Sequence, residues 1–125
     1  MTPAAAWLAL GALVTIGFGV AYLLHPHGMA RMVGIALPSP GARADYRAIY
    51  GGAQVGIGAF FGLAALRPGW HAPGLAALCL FALGFGVARL GSLARERVAR
   101  DPQWIVGALE LIAGLVTAWM LSFAS

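Results

Sequence analysis

Four stretches of the chain are almost free of charge, and together they use up most of its length. They run from Pro3 to Leu24, Ala48 to Leu66, Pro68 to Ala88 and Pro102 to Ser125, the last broken only by Glu110. A helix needs about 20 residues to cross the hydrocarbon of a bilayer. In lipid every backbone polar group must be satisfied within the protein, which favours helices. The segments are too long and too evenly apolar to be barrel strands. The expected fold is therefore all-α: a four-helix transmembrane bundle forming one integral membrane domain over residues 1–125. Only 10% of the residues are charged, against about a quarter in an ordinary soluble domain.

The net charge of +4 does not point to nucleic acid, because the basic residues sit mainly between the apolar segments, where they set topology. All are Arg; Lys and Asn are both missing, as in a GC-rich bacterial genome. The single cysteine, Cys79, allows no intrachain disulfide and no multi-thiolate metal site, and reads as a buried apolar thiol. The first segment lacks a basic leader and exceeds the usual apolar core of a signal peptide, so it reads as a retained helix.

Proline marks the helix starts. Thr2-Pro3, Ser39-Pro40 and Asp101-Pro102 each set a capping side chain before a Pro at the first helical position, and Pro73 follows Ala72 less clearly. These signals predict helices near 3–24, 40–66, 73–94 and 102–123. A short interfacial helix is expected within 29–37, ended by Pro38 and Pro40. Arg31, Arg43 and Arg47 flank the first loop, and Arg95, Arg97 and Arg100 the third. Arg67 stands alone in the second, and the C-terminal tail has none. The positive-inside rule then predicts a bacterial inner-membrane protein with both termini in the periplasm. Trp7, Trp70 and Trp119 would lie near the outer interface and Trp104 near the inner one.

An internal repeat is visible. Gly17-Phe18-Gly19-Val20-Ala21 recurs as Gly84-Phe85-Gly86-Val87-Ala88, and Gly51, Gln54 and Gly58 match Gly107, Glu110 and Gly114. Duplication of a two-helix hairpin, giving two parallel halves, accounts for the order of the matches. Chance similarity in a chain rich in Gly, Ala and Phe is the competing account. The patterns Gly52-x-x-x-Gly56, Gly58-x-x-x-Gly62 and Gly84-x-x-x-Ala88 suit close helix packing, and Gly51, Gly52, Gly56 and Gly84 are the expected packing glycines.

Arg89 and Glu110 are the two charges inside the expected spans. Unpaired, each costs roughly 2.5–3.5 kcal/mol on insertion scales, so an ion pair is expected. Arg43, Arg47, Tyr50 and Gln54 recur at spacings of four, three and four, one stripe of an α-helix. Arg47, Tyr50, Gln54, Arg89 and Glu110 are therefore the candidate ligand-binding residues, expected toward the cytoplasmic side. The plainer reading is a polar lock between helices, with Arg47 snorkelling to lipid phosphate. His25, His27 and His71 do not oppose one another at membrane depth, so no haem, other cofactor or metal site is expected.

The run Arg47-Ala48-Ile49-Tyr50-Gly51-Gly52, followed by Arg89 and Glu110, resembles the signature of a bacterial family of small four-helix membrane proteins described as a domain of unknown function. The resemblance extends from the first loop to the fourth helix. It implies the four-helix fold and makes Arg47, Tyr50, Gly51, Gly52, Arg89 and Glu110 candidate site residues; it implies no activity. Three functions compete. One is a binding or accessory protein for an anionic lipid, an amphiphile or a partner subunit, with homo-oligomers allowed. Another is a proton-coupled transporter using Glu110. The third is a membrane-embedded enzyme acting on a lipid-like substrate, with Glu110 as acid or base.

Overall fold

The computed structural model describes residues 1–124. Helices α1 (Pro3–Leu24), α2 (Pro26–Met32), α3 (Pro40–Tyr46), α4 (Ala53–Leu66), α5 (His71–Arg95) and α6 (Gln103–Ala124) follow in order, and no strand occurs among the described residues. A π-helical turn, Arg47–Gly52, joins α3 to α4. A 3₁₀ turn, Pro68–Trp70, precedes α5. Among the described residues, four helices are long and apolar enough to cross a membrane: Pro3–Leu24, Pro40–Leu66, Pro68–Arg95 and Gln103–Ala124. Large apolar side chains stand exposed along all of them, among them Leu13, Leu63, Leu80 and Leu109, a surface suited to lipid rather than water.

The helix starts follow from local chemistry. The Thr2 hydroxyl accepts from the Ala5 amide at 3.1 Å and the Ser39 hydroxyl from the Ala42 amide at 3.0 Å, so each satisfies one of the free donors of a first turn. Helix α5 begins at His71 rather than near Pro73. Pro73 is tolerated there because a first-turn N–H has no intrahelical acceptor to lose. Helix α6 begins at Gln103, whose amide donates to the Asp101 carboxylate at 2.8 Å. The interfacial helix lies earlier than expected, at Pro26–Met32. It is ended by Gly34 (φ +75°), which lets the amides of Gly34 and Ile35 return to Arg31 and Ala30, and not by Pro38.

The chain divides into two compact units, residues 1–66 and the part from Arg67 onward. Each is an antiparallel hairpin. In hairpin one, α1 packs on α4 and the π turn; in hairpin two, α5 packs on α6. The tightest contacts are at glycines. A Cβ on Gly19 would lie 2.9 Å from the Gly51 carbonyl oxygen and the Val55 nitrogen, and one on Gly86 would lie 2.8 Å from the Leu111 nitrogen and 3.1 Å from the Gly107 oxygen. Gly51 faces Leu23 as Gly107 faces Leu90, and Gly58 faces Ile16 as Gly114 faces Leu83. The fully buried Leu8 and Phe61 likewise correspond to Leu75 and Thr117. The two hairpins thus share one contact register at the positions that the sequence repeat aligns.

The packing role expected of the other glycines needs correction. A Cβ on Gly56 or Gly84 would meet nothing within 4 Å, and one on Gly52 only the Arg47 carbonyl one turn away, at 3.9 Å. Close contact falls to Gly19, Gly51 and Gly58 in hairpin one and to Gly86, Gly107 and Gly114 in hairpin two. The Cys79 thiol is buried and donates to the Gly114 carbonyl at 3.4 Å, and the Thr117 hydroxyl donates to Ala113 in its own helix at 2.6 Å.

Candidate functional site

In hairpin two the polar residues close into a network. Gln103, Gly107, Glu110 and Gly114 recur at spacings of four, three and four, one face of α6. Gly107 leaves room for the stem of Arg89, whose Cδ lies 3.4 Å from where a Cβ would stand. The guanidinium then reaches Glu110 with two parallel bonds, Nε to Oε2 and Nη2 to Oε1, both 2.9 Å. Its Nη1 donates to the Gln103 side-chain oxygen at 2.9 Å. The expected Arg89–Glu110 pair therefore forms, in the bidentate geometry that makes such bonds strong. The two side chains are 23% and 22% exposed. Gln103 is the member that sequence reasoning missed; its place one turn before Gly107 was the available signal. The Trp104 indole N–H donates to the Val98 carbonyl at 2.9 Å and ties the α5–α6 connection to the same end of the hairpin.

Hairpin one is built from different chemistry at the matching end. The six residues of the motif singled out in the sequence, Arg47 to Gly52, are the six residues of the π turn. The Ala53 amide returns to the Ala48 carbonyl, five residues back instead of four. Single π turns within α-helices occur often at functional sites. Arg47 is exposed, and its Nε donates to the Leu23 carbonyl at 3.1 Å. That carbonyl belongs to the last turn of α1, where acceptors lack intrahelical donors. Arg47 makes no ion pair among the described residues.

Beside it three tyrosines pack together. Tyr46 and Tyr50, one turn apart, stack with ring centroids 4.5 Å apart, and Tyr22 meets Tyr46 at 5.7 Å and Tyr50 at 5.5 Å. Tyr46 is 4% exposed, covered by Ala30 and Leu37, and its hydroxyl has no hydrogen-bond partner among the described residues. Sequence reasoning chose Tyr50 and passed over Tyr46. Gln54 is half-buried on the first turn of α4. Of the five candidate residues, then, Arg47, Tyr50 and Gln54 belong to hairpin one, and Arg89 and Glu110 to hairpin two.

Comparison with known families adds one match. The model for the domain of unknown function DUF4345 matches residues 4–121. The chain belongs to the DUF4345 family. No curated protein and no solved structure matches it. The expectation of a family described as a domain of unknown function is borne out. The match covers nearly all of both hairpins of this DUF4345 chain, including the π turn and the Arg89–Glu110–Gln103 network.

Proposed function

We propose that this DUF4345 chain is a membrane-embedded binding protein whose first hairpin holds the anionic headgroup of an amphiphile at Arg47. The supporting observation is a difference in charge between two hairpins of one register. In hairpin two the cation Arg89 is neutralised by Glu110 in a fork-to-fork pair. In hairpin one Tyr22 and Gln54 stand at the matching positions, and the nearby cation Arg47, contributed by the π turn, meets no carboxylate among the described residues and spends only its Nε on the Leu23 carbonyl. The terminal guanidinium nitrogens remain for a carboxylate or phosphate, which Arg suits by its planar, bidentate geometry. Exposed Phe18 and Ile49 on the same hairpin offer apolar surface to a tail. The transporter reading draws less support, because both Glu110 oxygens are held by Arg89.

The arginine asymmetry gives the proposal an orientation: both termini periplasmic, and Arg47 at the cytoplasmic leaflet of a bacterial inner membrane. The test is native mass spectrometry of the protein released from membranes, comparing wild type with Arg47→Gln. Adducts of anionic lipid should fall about tenfold or more, the worth of a charge-assisted hydrogen bond, while folding persists. Identical adducts in both proteins would return Arg47 to the role of a helix cap and interfacial anchor. A C-terminal reporter active in the cytoplasm would reverse the leaflet and leave the binding chemistry as stated.

A further inference from the structure

We propose that Tyr46 is a second contact of this site, donating its hydroxyl to an acyl ester carbonyl, so that the ligand class is an anionic glycerophospholipid. The inference rests on the reading of Arg47 as the headgroup contact. Its starting point is the Tyr46 hydroxyl, enclosed and without a partner among the described residues, on a side chain only 4% exposed. An unmet buried donor costs about 1–3 kcal/mol, and folded proteins rarely leave one without reason.

The second hairpin shows what the position is for. A π turn takes one more residue than an α turn. Counting back from the matched pair Gly51 and Gly107, Tyr46 therefore stands where Gln103 stands. Tyr22 stands where Arg89 stands, and Gln54 where Glu110 stands. The contacts agree: Tyr22 meets Tyr46 edge-on, as Arg89 meets Gln103. In hairpin two these three positions satisfy one another. In hairpin one they hold two phenols and an amide, and the Tyr46 donor is left over. What the Tyr46 hydroxyl lacks among the described residues is an acceptor within reach.

The surroundings define that acceptor. Tyr46 lies among Tyr22, Tyr50, Ala30 and Leu37, apolar and aromatic groups that penalise a bare anion. A neutral carbonyl fits there, and the anion belongs on exposed Arg47, the next residue of the helix. A fatty acid offers one polar group, and a prenyl phosphate offers no carbonyl. A glycerophospholipid carries a phosphate and ester carbonyls on neighbouring carbons of one backbone. The three rings are packed too closely, at 4.5–5.7 Å between centroids, to enclose a quaternary ammonium between them, so the headgroup needs no choline. Access runs through the connection of residues 33–39, which has no helical structure and supplies the Leu37 that covers Tyr46.

The experiment compares diester phosphatidylglycerol with its diether analogue, which keeps the phosphate and loses the carbonyls. Each is titrated into the delipidated protein in detergent and read by native mass spectrometry. Wild type should bind the diester about five- to tenfold more tightly, the worth of one neutral hydrogen bond. Tyr46→Phe should bring diester binding down to the diether level and leave diether binding unchanged. Arg47→Gln should weaken both lipids alike. A wild type without ester preference, or a preference that survives Tyr46→Phe, overturns the assignment of Tyr46. An Arg47→Gln variant that binds both lipids as wild type does overturns the headgroup reading beneath it.

Discussion

Alanine at Gly86 should destabilise hairpin two by about 2 kcal/mol, whereas alanine at Gly84, two residues earlier, should be neutral or stabilising by up to about 1 kcal/mol. The contrast rests on what each new methyl would touch. At Gly86 it would fall 2.8 Å from the Leu111 nitrogen and 3.2 Å from its Cα. These are backbone atoms, with no rotamer to turn away. Helices α5 and α6 would have to part by several tenths of an ångström along the closest stretch of their interface, and dispersion contacts fall off steeply with such gaps. At Gly84 the methyl would meet nothing within 4 Å, so only the gain in helix propensity remains. Titration with SDS in mixed micelles, followed by circular dichroism, measures both variants. Equal effects would sink the assignment of the close contact to Gly86. Gly19→Ala extends the test, since its methyl would fall 2.9 Å from the Gly51 oxygen and the Val55 nitrogen. Because the two hairpins share one register, its cost should resemble that of Gly86→Ala.

Parts of this structure were legible because they depend on composition and short spacing. The spans Pro3–Leu24 and Pro40–Leu66 follow from runs of apolar residues bounded by Thr2-Pro3 and Ser39-Pro40. The Arg89–Glu110 pair follows from the cost of stranding either charge among apolar residues. The repeat was legible too, but not which glycine of each pair makes the contact. Gly17 and Gly19, or Gly84 and Gly86, differ by two residues, about 200° around a helix, and nothing local says which faces the partner. The π turn was illegible for a related reason. Whether an amide returns to the fourth or the fifth carbonyl back leaves no mark in residue type, so the stripe Arg43, Arg47, Tyr50, Gln54 was drawn on an uninterrupted α-helix. The extra residue breaks that stripe between Arg47 and Gln54 and sets Tyr46 against Tyr22. Gln103 was missed because an uncharged amide carries no insertion penalty large enough to demand a partner.

The Arg89–Glu110 pair should carry the other large effect. Replacing Glu110 by alanine removes the two bonds to Nε and Nη2 while the stem of Arg89 stays laid across Gly107 and Nη1 stays on the Gln103 oxygen. The guanidinium cannot shed its proton, so it must stay charged among apolar groups or pull out toward water and abandon its contacts. The expected loss is about 2–3 kcal/mol, toward the lower end because both side chains are about a fifth exposed. Arg89→Ala should cost less, because an unpaired Glu110 has a way out that arginine lacks: it takes up a proton. The double variant removes both charges and strands neither. Its loss should therefore fall short of the sum of the two single losses by about 1–2 kcal/mol, near the top of the range for coupled polar pairs in membrane proteins. The geometry favours that end of the range, since two parallel bonds of 2.9 Å break together. A double-mutant cycle by the same SDS titration measures the coupling. Strict additivity would mean that the two side chains do not meet in the folded protein. A coupling that survives Gln103→Ala undiminished would assign it to the carboxylate alone, and one that shrinks would show that Gln103 fixes the guanidinium plane on which the two-bond geometry depends.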